Sequence, residues 1–181
     1  KHLMNELFEK KNLPFYKFGD AIYLAKIETK YWIEYICKRF ENTGKHISPE
    51  LAEEICRLVD NHSSYVQQLS WLLWIRTINT ATTEQLSYAL EDLLDQNNIL
   101  FQSETENLSA YQMNFLKAIV DGIHTKFSSK EVISKYNLGT SANIVRLKNA
   151  LLQKELIETN GKEIVLADPV FGVWFKKEML Y

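Results

Sequence analysis

Along this chain apolar residues recur in blocks, mostly at the spacing of one helical face. Leu3, Met4, Leu7 and Phe8 open it on a helix or the remnant of one, which Pro14 and Gly19 break. Residues 21–27, "AIYLAKI", alternate at Ile22 and Leu24 and predict a strand or an extended connector. Trp32, Ile33, Ile36 and Phe40 line one face of a helix over residues 29–42, ended by Gly44. Ser48-Pro49-Glu50 starts the next, with a capping hydroxyl, proline at the first helical position and a carboxylate near the positive helix end; it runs to about Asp60. Residues 63–78, "SSYVQQLSWLLWIRTI", are apolar nearly all round and predict a buried central helix. Thr82 or Thr83 caps another, with Leu86, Leu90, Leu93 and Leu94 facing inward. Residues 96–107, "QNNILFQSETEN", turn polar and acidic and read as a hinge.

Beyond residue 107 the elements shorten. Phe115, Leu116 and Ile119 mark a helix over residues 109–121. A short helix follows, capped by Ser128 or Ser129 and closed near Asn137. Residues 140–157 form a longer one, with Ile144, Leu147, Leu151 and Leu152 as its core face. Apolar positions then flank Asn160-Gly161, the strongest two-residue hairpin signal. Asp168-Pro169 caps and starts a last helix, ending at Phe175, whose Phe171, Trp174 and Phe175 share one face that packs back on the preceding elements. Three helices, a two-stranded wing and a closing helix are the order of a winged helix-turn-helix. The fold class is therefore mainly α: a helical bundle over residues 1–103, then a winged helix with a small hairpin over residues 104–181.

Composition sharpens this only in part. The 181 residues are 46% hydrophobic and 24% charged, enough for one large domain or two small ones and too apolar for a disordered chain. The net charge of −2 points to neither nucleic acid nor membrane. Its distribution is uneven, with 11 Lys and Arg against 16 Asp and Glu in residues 1–107, and 10 against 7 in residues 108–181. The final third is mildly basic. Cys37 and Cys56 lack metal or redox spacing and read as buried free thiols in a cytoplasmic protein. No apolar run is long enough to span a membrane and no signal peptide is visible; the chain opens inside a helical pattern and reads as part of something longer.

Catalytic chemistry is not evident. His2, His46, His62 and His124 are scattered, so neither a metal nor a catalytic residue is assigned. "TGKH" at residues 43–46 looks like the end of a phosphate loop, but Arg39 stands where that loop needs its first glycine and His46 replaces the Ser or Thr that would hold magnesium. A helix end and a turn explain it.

The order of these blocks resembles a family. "KHLMNELFEKKNLPFYKFGDAIYLAKI" resembles the stretch leading out of the nucleotide-binding core in archaeal-type P-loop ATPases of the AAA+/STAND group, which also occur in bacteria. "YWIEYICKRFENTGKHISPELAEEICRLVDNHSSYVQQL" is similar to their helical lid, including an "HPYY"-like turn, and "LADPVFGVWF" is similar to their "DPxFxxWF" ending. The resemblance covers essentially the whole chain. It implies a parent ATPase binding ATP and Mg through Walker A and Walker B segments upstream of Lys1, which is the first partner of this lid and output domain. Without those segments this portion is expected neither to hydrolyse ATP nor to hold it tightly.

Candidate residues follow from the resemblance and the winged-helix reading. His62, Ser63, Ser64 and Tyr65 stand in the nucleotide-proximal turn, with Ser63 where the family has proline; the plain alternative is that Ser63 or Ser64 caps a helix. Arg57 and Arg76 on the flanking helices are candidates to reach a γ-phosphate. On the third helix of the winged domain Thr140, Ser141, Asn143, Arg146, Lys148 and Asn149 are candidates for the exposed face, where Asn and Arg can read base edges. Thr140, Ser141 and Lys130 can hold phosphates, and Lys162 in the wing can touch a backbone. A protein-contacting or regulatory role is the competing reading of this face. The alternative for the whole chain is a stand-alone winged-helix transcription regulator with a helical dimerisation domain.

Overall fold

The structure, a computed structural model, describes residues 25–180. The expected opening helix and most of the strand or connector at residues 21–27 lie outside the described residues; residues 25–28 are neither helix nor strand. Among the described residues eight helices and one hairpin follow: α1 (Thr29–Glu41), α2 (Pro49–Leu58), α3 (Ser63–Arg76), α4 (Thr83–Glu106), α5 (Ala110–Val120), α6 (Lys130–Tyr136), α7 (Ser141–Gln153), β1 (Ile157–Asn160), β2 (Glu163–Leu166) and α8 (Pro169–Leu180). The mainly helical fold with a two-stranded antiparallel wing is the one the apolar spacing predicts.

Helices α1 to α4 form the first bundle. Helix α1 buries Trp32, Ile36 and Phe40, spaced four residues apart, against α2. It stops where Gly44 takes φ +71°, and the Lys45 N–H closes back on the Phe40 carbonyl at 3.1 Å. Ser48 caps α2 by accepting from the Leu51 N–H, as its Ser-Pro-Glu signature predicts. The loops before α2 and α4 are clipped together. His46 N–H donates to the Asn79 carbonyl at 2.7 Å and Ala81 N–H to the His46 carbonyl at 2.8 Å.

Helix α3 differs from expectation on two counts. It buries Tyr65, Val66, Leu69, Leu72 and Leu73 yet leaves Trp71 57% and Ile75 51% exposed, because among the described residues its neighbours cover one side only. Its N-cap is His62, whose side chain makes no capping bond; neither Ser63 nor Ser64 caps it. Both serines already lie inside the first helical turn, where a hydroxyl faces its own helix rather than the open N–H groups. Ser64 instead accepts from the Gln68 amide at 2.8 Å.

The largest correction concerns the expected hinge. Helix α4 starts at a capping box made by Thr82 and Gln85 and continues unbroken for 24 residues, straight through residues 96–107. Phe101 and Thr105 on its inner face are buried, and the polar residues between them are its wet side. A continuous helix of that length spans about 36 Å and carries the bundle into the winged domain.

The winged domain is built from α5 to α8 and the hairpin. Ser109 with Gln112 caps α5, Ser129 caps α6, and Asn137 closes α6 in the left-handed conformation. Helix α7 ends at Gln153, short of the expected residue 157. Glu155 turns to φ +55° and the Leu156 N–H closes on the Leu151 carbonyl, so Leu156 and Ile157 point into the core. The wing pairs Asn160 with Glu163, which makes Gly161-Lys162 the two-residue loop rather than Asn160-Gly161. A glycine at φ +59° in the first loop position is the arrangement of a type II′ turn.

Asp168 caps α8 through Oδ1, which accepts from the N–H groups of Val170 (2.8 Å) and Phe171 (3.0 Å). The helix continues past Phe175 to Leu180. Its aromatic face does pack back: Phe171, Trp174 and Phe175 are buried, and Phe101 of α4 meets Phe171 and Trp174 edge-on or tilted at 5.4 and 5.6 Å. The Trp174 indole donates to Asn98 Oδ1 at 2.8 Å. Buried side chains from Trp32 to Phe175 join in one apolar cluster, so the helical bundle and the winged domain share a core.

Candidate functional site

The turn between α2 and α3 is the first region to which sequence assigned chemistry. Asp60 and Asn61 both adopt left-handed backbone, φ 48° and 53°, which reverses the chain within two residues. The reversal is held by Asn61 N–H on the Cys56 carbonyl at 2.9 Å and by Lys26, which pairs with the Asp60 carboxylate at 2.5 Å. The next residues are exposed His62, Ser63 and Ser64, at a helix start that no side chain caps. The His62 ring lies 4.8 Å from the ring of Tyr65. Among the described residues no side chain caps this helix end, which carries a partial positive charge.

The two arginines do not converge there. Arg57 is near the turn, but its guanidinium makes a two-point contact with Glu54 at 2.5 and 2.7 Å, which holds the Glu54 carboxyl below the usual range. Arg76 closes the far end of α3, about 20 Å away along a 14-residue helix, and is paired with Asp92 of α4.

Tyr65 has a partner that the sequence did not reveal. Its hydroxyl donates to Oδ2 of Asp168, 103 positions away, at 2.6 Å. Burial first, then the Asp168 carboxylate, pushes the phenol well above its ordinary range, so it stays a donor. Glu104, from the last turn of α4, is half-buried beside them; its carboxyl is pushed up by burial and by the charge of Asp168. Asp168 was readable as a cap and Tyr65 as part of the turn, but nothing local in the sequence signals that they touch.

The second region is the outer face of α7. Thr140, Ser141, Arg146 and Asn149 are exposed, as are Lys130 at the start of α6 and Lys162 at the wing tip. Lys148 is half-buried. Asn143 is not a free reading residue: its amide donates to the Leu138 carbonyl at 3.0 Å and braces the turn before α7. A shallow groove of about 340 Å³ lies between Tyr111 of α5 and Gly139, Thr140, Ala142, Asn143 and Arg146. Tyr111 and Val145, 45% and 62% exposed, give this face apolar character that the charge pattern did not suggest.

A third region was not anticipated. Tyr35, Arg39, Trp71 and Trp74 line an open groove of about 530 Å³ between α1 and α3. Trp74 is fixed by its indole bond to Thr43 at 2.9 Å and by Lys45, whose ammonium sits 4.0 Å above the ring and donates to the Trp74 carbonyl at 2.7 Å. The "TGKH" stretch is thus the closing turn of α1, and Lys45 is committed to Trp74. That stretch does not fit a phosphate-and-magnesium cradle, and among the described residues no group of three or more His, Cys, Asp or Glu is placed to hold a metal ion. Cys56 is fully buried and burial pushes its thiol up to about 11. No helix among the described residues is long and apolar enough to cross a membrane.

Comparison with known proteins agrees with this architecture. Residues 99–177 match a family model described as "Probable winged helix domain", which begins inside α4 and ends within α8. No curated protein sequence matches the chain. Among solved structures, the Walker-type ATPase paby2304 of Pyrococcus abyssi superposes with a TM-score of 0.69 at 17% identity, over 96% of this chain and 50% of that one. The chain thus spans about half the length of that ATPase, and the likeness is one of fold.

Proposed function

We propose that this chain is the lid and winged-helix output portion of a cytoplasmic P-loop ATPase of the AAA+/STAND group. The observation that carries the reading is the likeness to a Walker-type ATPase across both halves of the chain, bundle and winged domain together. A separate helical dimerisation domain would have no reason to share that arrangement. On this reading ATP and Mg would be held by an upstream core that carries the Walker A and Walker B segments, and this chain would supply the lid and the output domain. The α3 turn with His62 to Tyr65 is the part of this chain that faces the nucleotide. Arg57 and Arg76 are bound up in ion pairs with Glu54 and Asp92 and are weak candidates for phosphate contact.

For the output face we favour a protein partner over DNA. Val145 and Tyr111 are apolar and exposed there, Asn143 is turned to the backbone, and few cations stand on α7. Phosphate contacts need several free cations to reach useful affinity at physiological salt. The test has two arms. The natural polypeptide is expected to carry GxxxxGK followed by Ser or Thr roughly 150–200 residues before Lys1, one domain length. A start codon immediately before Lys1 would overturn the ATPase reading. Duplex binding is then measured across a salt series. No binding at low salt, or binding that the pair R146A/K148A leaves unchanged, supports the protein partner; steep salt dependence abolished by that pair would reassign the face to DNA.

A further inference from the structure

One carboxylate joins the α3 turn to the closing helix of the winged domain. Asp168 spends Oδ1 on the N–H groups of Val170 and Phe171, fixing the start of α8, and Oδ2 on the Tyr65 hydroxyl, fixing the start of α3. Tyr65 is 9% exposed, so its hydroxyl has little water to turn to. Two helix starts, otherwise distant in sequence, therefore meet at a single group. Below it, Phe171 and Trp174 lock α8 onto Phe101, so a shift of Asp168 is carried into the helix rather than absorbed by a loop.

We propose that Tyr65 is a positioning residue whose hydrogen bond to Asp168 couples the α3 turn to the winged domain, so that the turn and the first turn of α8 move together. That nucleotide drives this movement rests on the ATPase reading; the mechanical coupling does not. A bond from a phenol to a carboxylate, shielded from water, is of the stronger kind. Two helix starts that share it gain and lose order together, which is a coupling between sites in the thermodynamic sense.

Amide hydrogen exchange on the 181-residue chain tests the coupling. Tyr65→Phe keeps the ring in place and removes only the hydroxyl. It is expected to speed exchange at Val170 and Phe171 by about tenfold, the size of one charge-assisted hydrogen bond. Asp168→Ser keeps a capping oxygen but is too short to reach Tyr65, and is expected to speed exchange at Val66 and Gln67 by a similar factor. Amides in the interior of α7 serve as the reference. Unchanged exchange at α8 in Tyr65→Phe, or a rise equal to that in α7, would overturn the coupling, because a bond that only adds global stability changes protection by one common factor at the amides that exchange through global unfolding. Adding Mg-ATP to the natural chain, with the upstream core the ATPase reading expects, separates the two layers. A nucleotide-dependent change at α8 in the wild type that vanishes in Tyr65→Phe supports both. No change in the wild type, with the Tyr65→Phe effect intact in the 181-residue chain, removes the ATPase reading and leaves the coupling standing. A change that survives in Tyr65→Phe overturns Tyr65 as the route.

Discussion

Replacing Phe101 with alanine tests whether residues 96–107 are a packed helix or a connector. Phe101 is 1% exposed and its ring meets both Phe171 and Trp174 of α8. A buried aromatic side chain removes roughly 150–250 Å² from water, and at about 25 cal/mol/Å² the part beyond Cβ contributes about 3 kcal/mol. Each aromatic contact adds about 0.5–1.5 kcal/mol. The cavity is closed only in part by relaxation, because α4 and α8 are rigid on both sides. The expected loss is therefore about 4–5 kcal/mol, the upper part of the usual range for a buried Phe→Ala change. The assay is urea unfolding of the 181-residue chain, followed in parallel by far-ultraviolet circular dichroism and tryptophan fluorescence, to which Trp174 contributes beside the new cavity. Ile99→Ala is the control, since Ile99 lies two residues away and is 82% exposed; it should cost less than about 0.5 kcal/mol. A Phe101→Ala cost below about 1 kcal/mol, or equal costs for the two variants, would refute the shared core and restore the hinge.

Three further outcomes are expected. Glu104→Gln removes a carboxylate that folding raises above its ordinary range, so the native state favours its neutral form. Its contribution is most favourable below the unfolded carboxyl range and is lost as pH rises through the folded value. The variant should therefore melt higher than wild type at neutral pH, with the advantage fading as pH falls through the raised folded value and gone at the ordinary carboxyl range of about 4; thermal melts at neutral pH and at about pH 4 decide it. Gly161→Ala forces a Cβ into a left-handed loop position at φ +59° and should destabilise the wing by about 1 kcal/mol or more, read from chemical denaturation. Native thiol labelling should modify half-buried Cys37 before Cys56, whose thiol is buried and held largely protonated at pH 8; equal labelling rates would contradict the buried position of α2.

What the sequence made legible was the chemistry that acts over three or four residues. The caps at Ser48, Thr82, Ser129 and Asp168 and the wing glycine are local signals, and each sits where its own backbone needs it. The errors came where a distant surface decides. Residues 96–107 looked like a hinge because their polar members dominate the count, while Phe101 and Thr105 become a core stripe only once α8 covers them. Helix α3 looked buried all round, yet Trp71 and Ile75 find no cover among the described residues. Its cap moved from serine to His62 because the tight turn at Asp60 and Asn61 starts the helix one residue early. On the winged domain the charge pattern located the outer face of α7, but Asn143 turned to the backbone and Val145 came to the surface. Tyr65 and Asp168 were each visible, and their contact was not, since nothing in either neighbourhood encodes the other.

The most direct test of the proposed role is isothermal titration of Mg-ATP into the natural polypeptide, which the proposal expects to be a longer chain extending upstream of Lys1, and, separately, into residues 1–181. Saturable binding to the longer chain and no tight binding to residues 1–181 is the expected result, because Lys45, the lysine of the phosphate-loop-like stretch, is committed to Trp74. Absence of binding to the longer chain, or tight binding by residues 1–181 alone, would contradict the assignment of this chain as the lid and output portion of an ATPase.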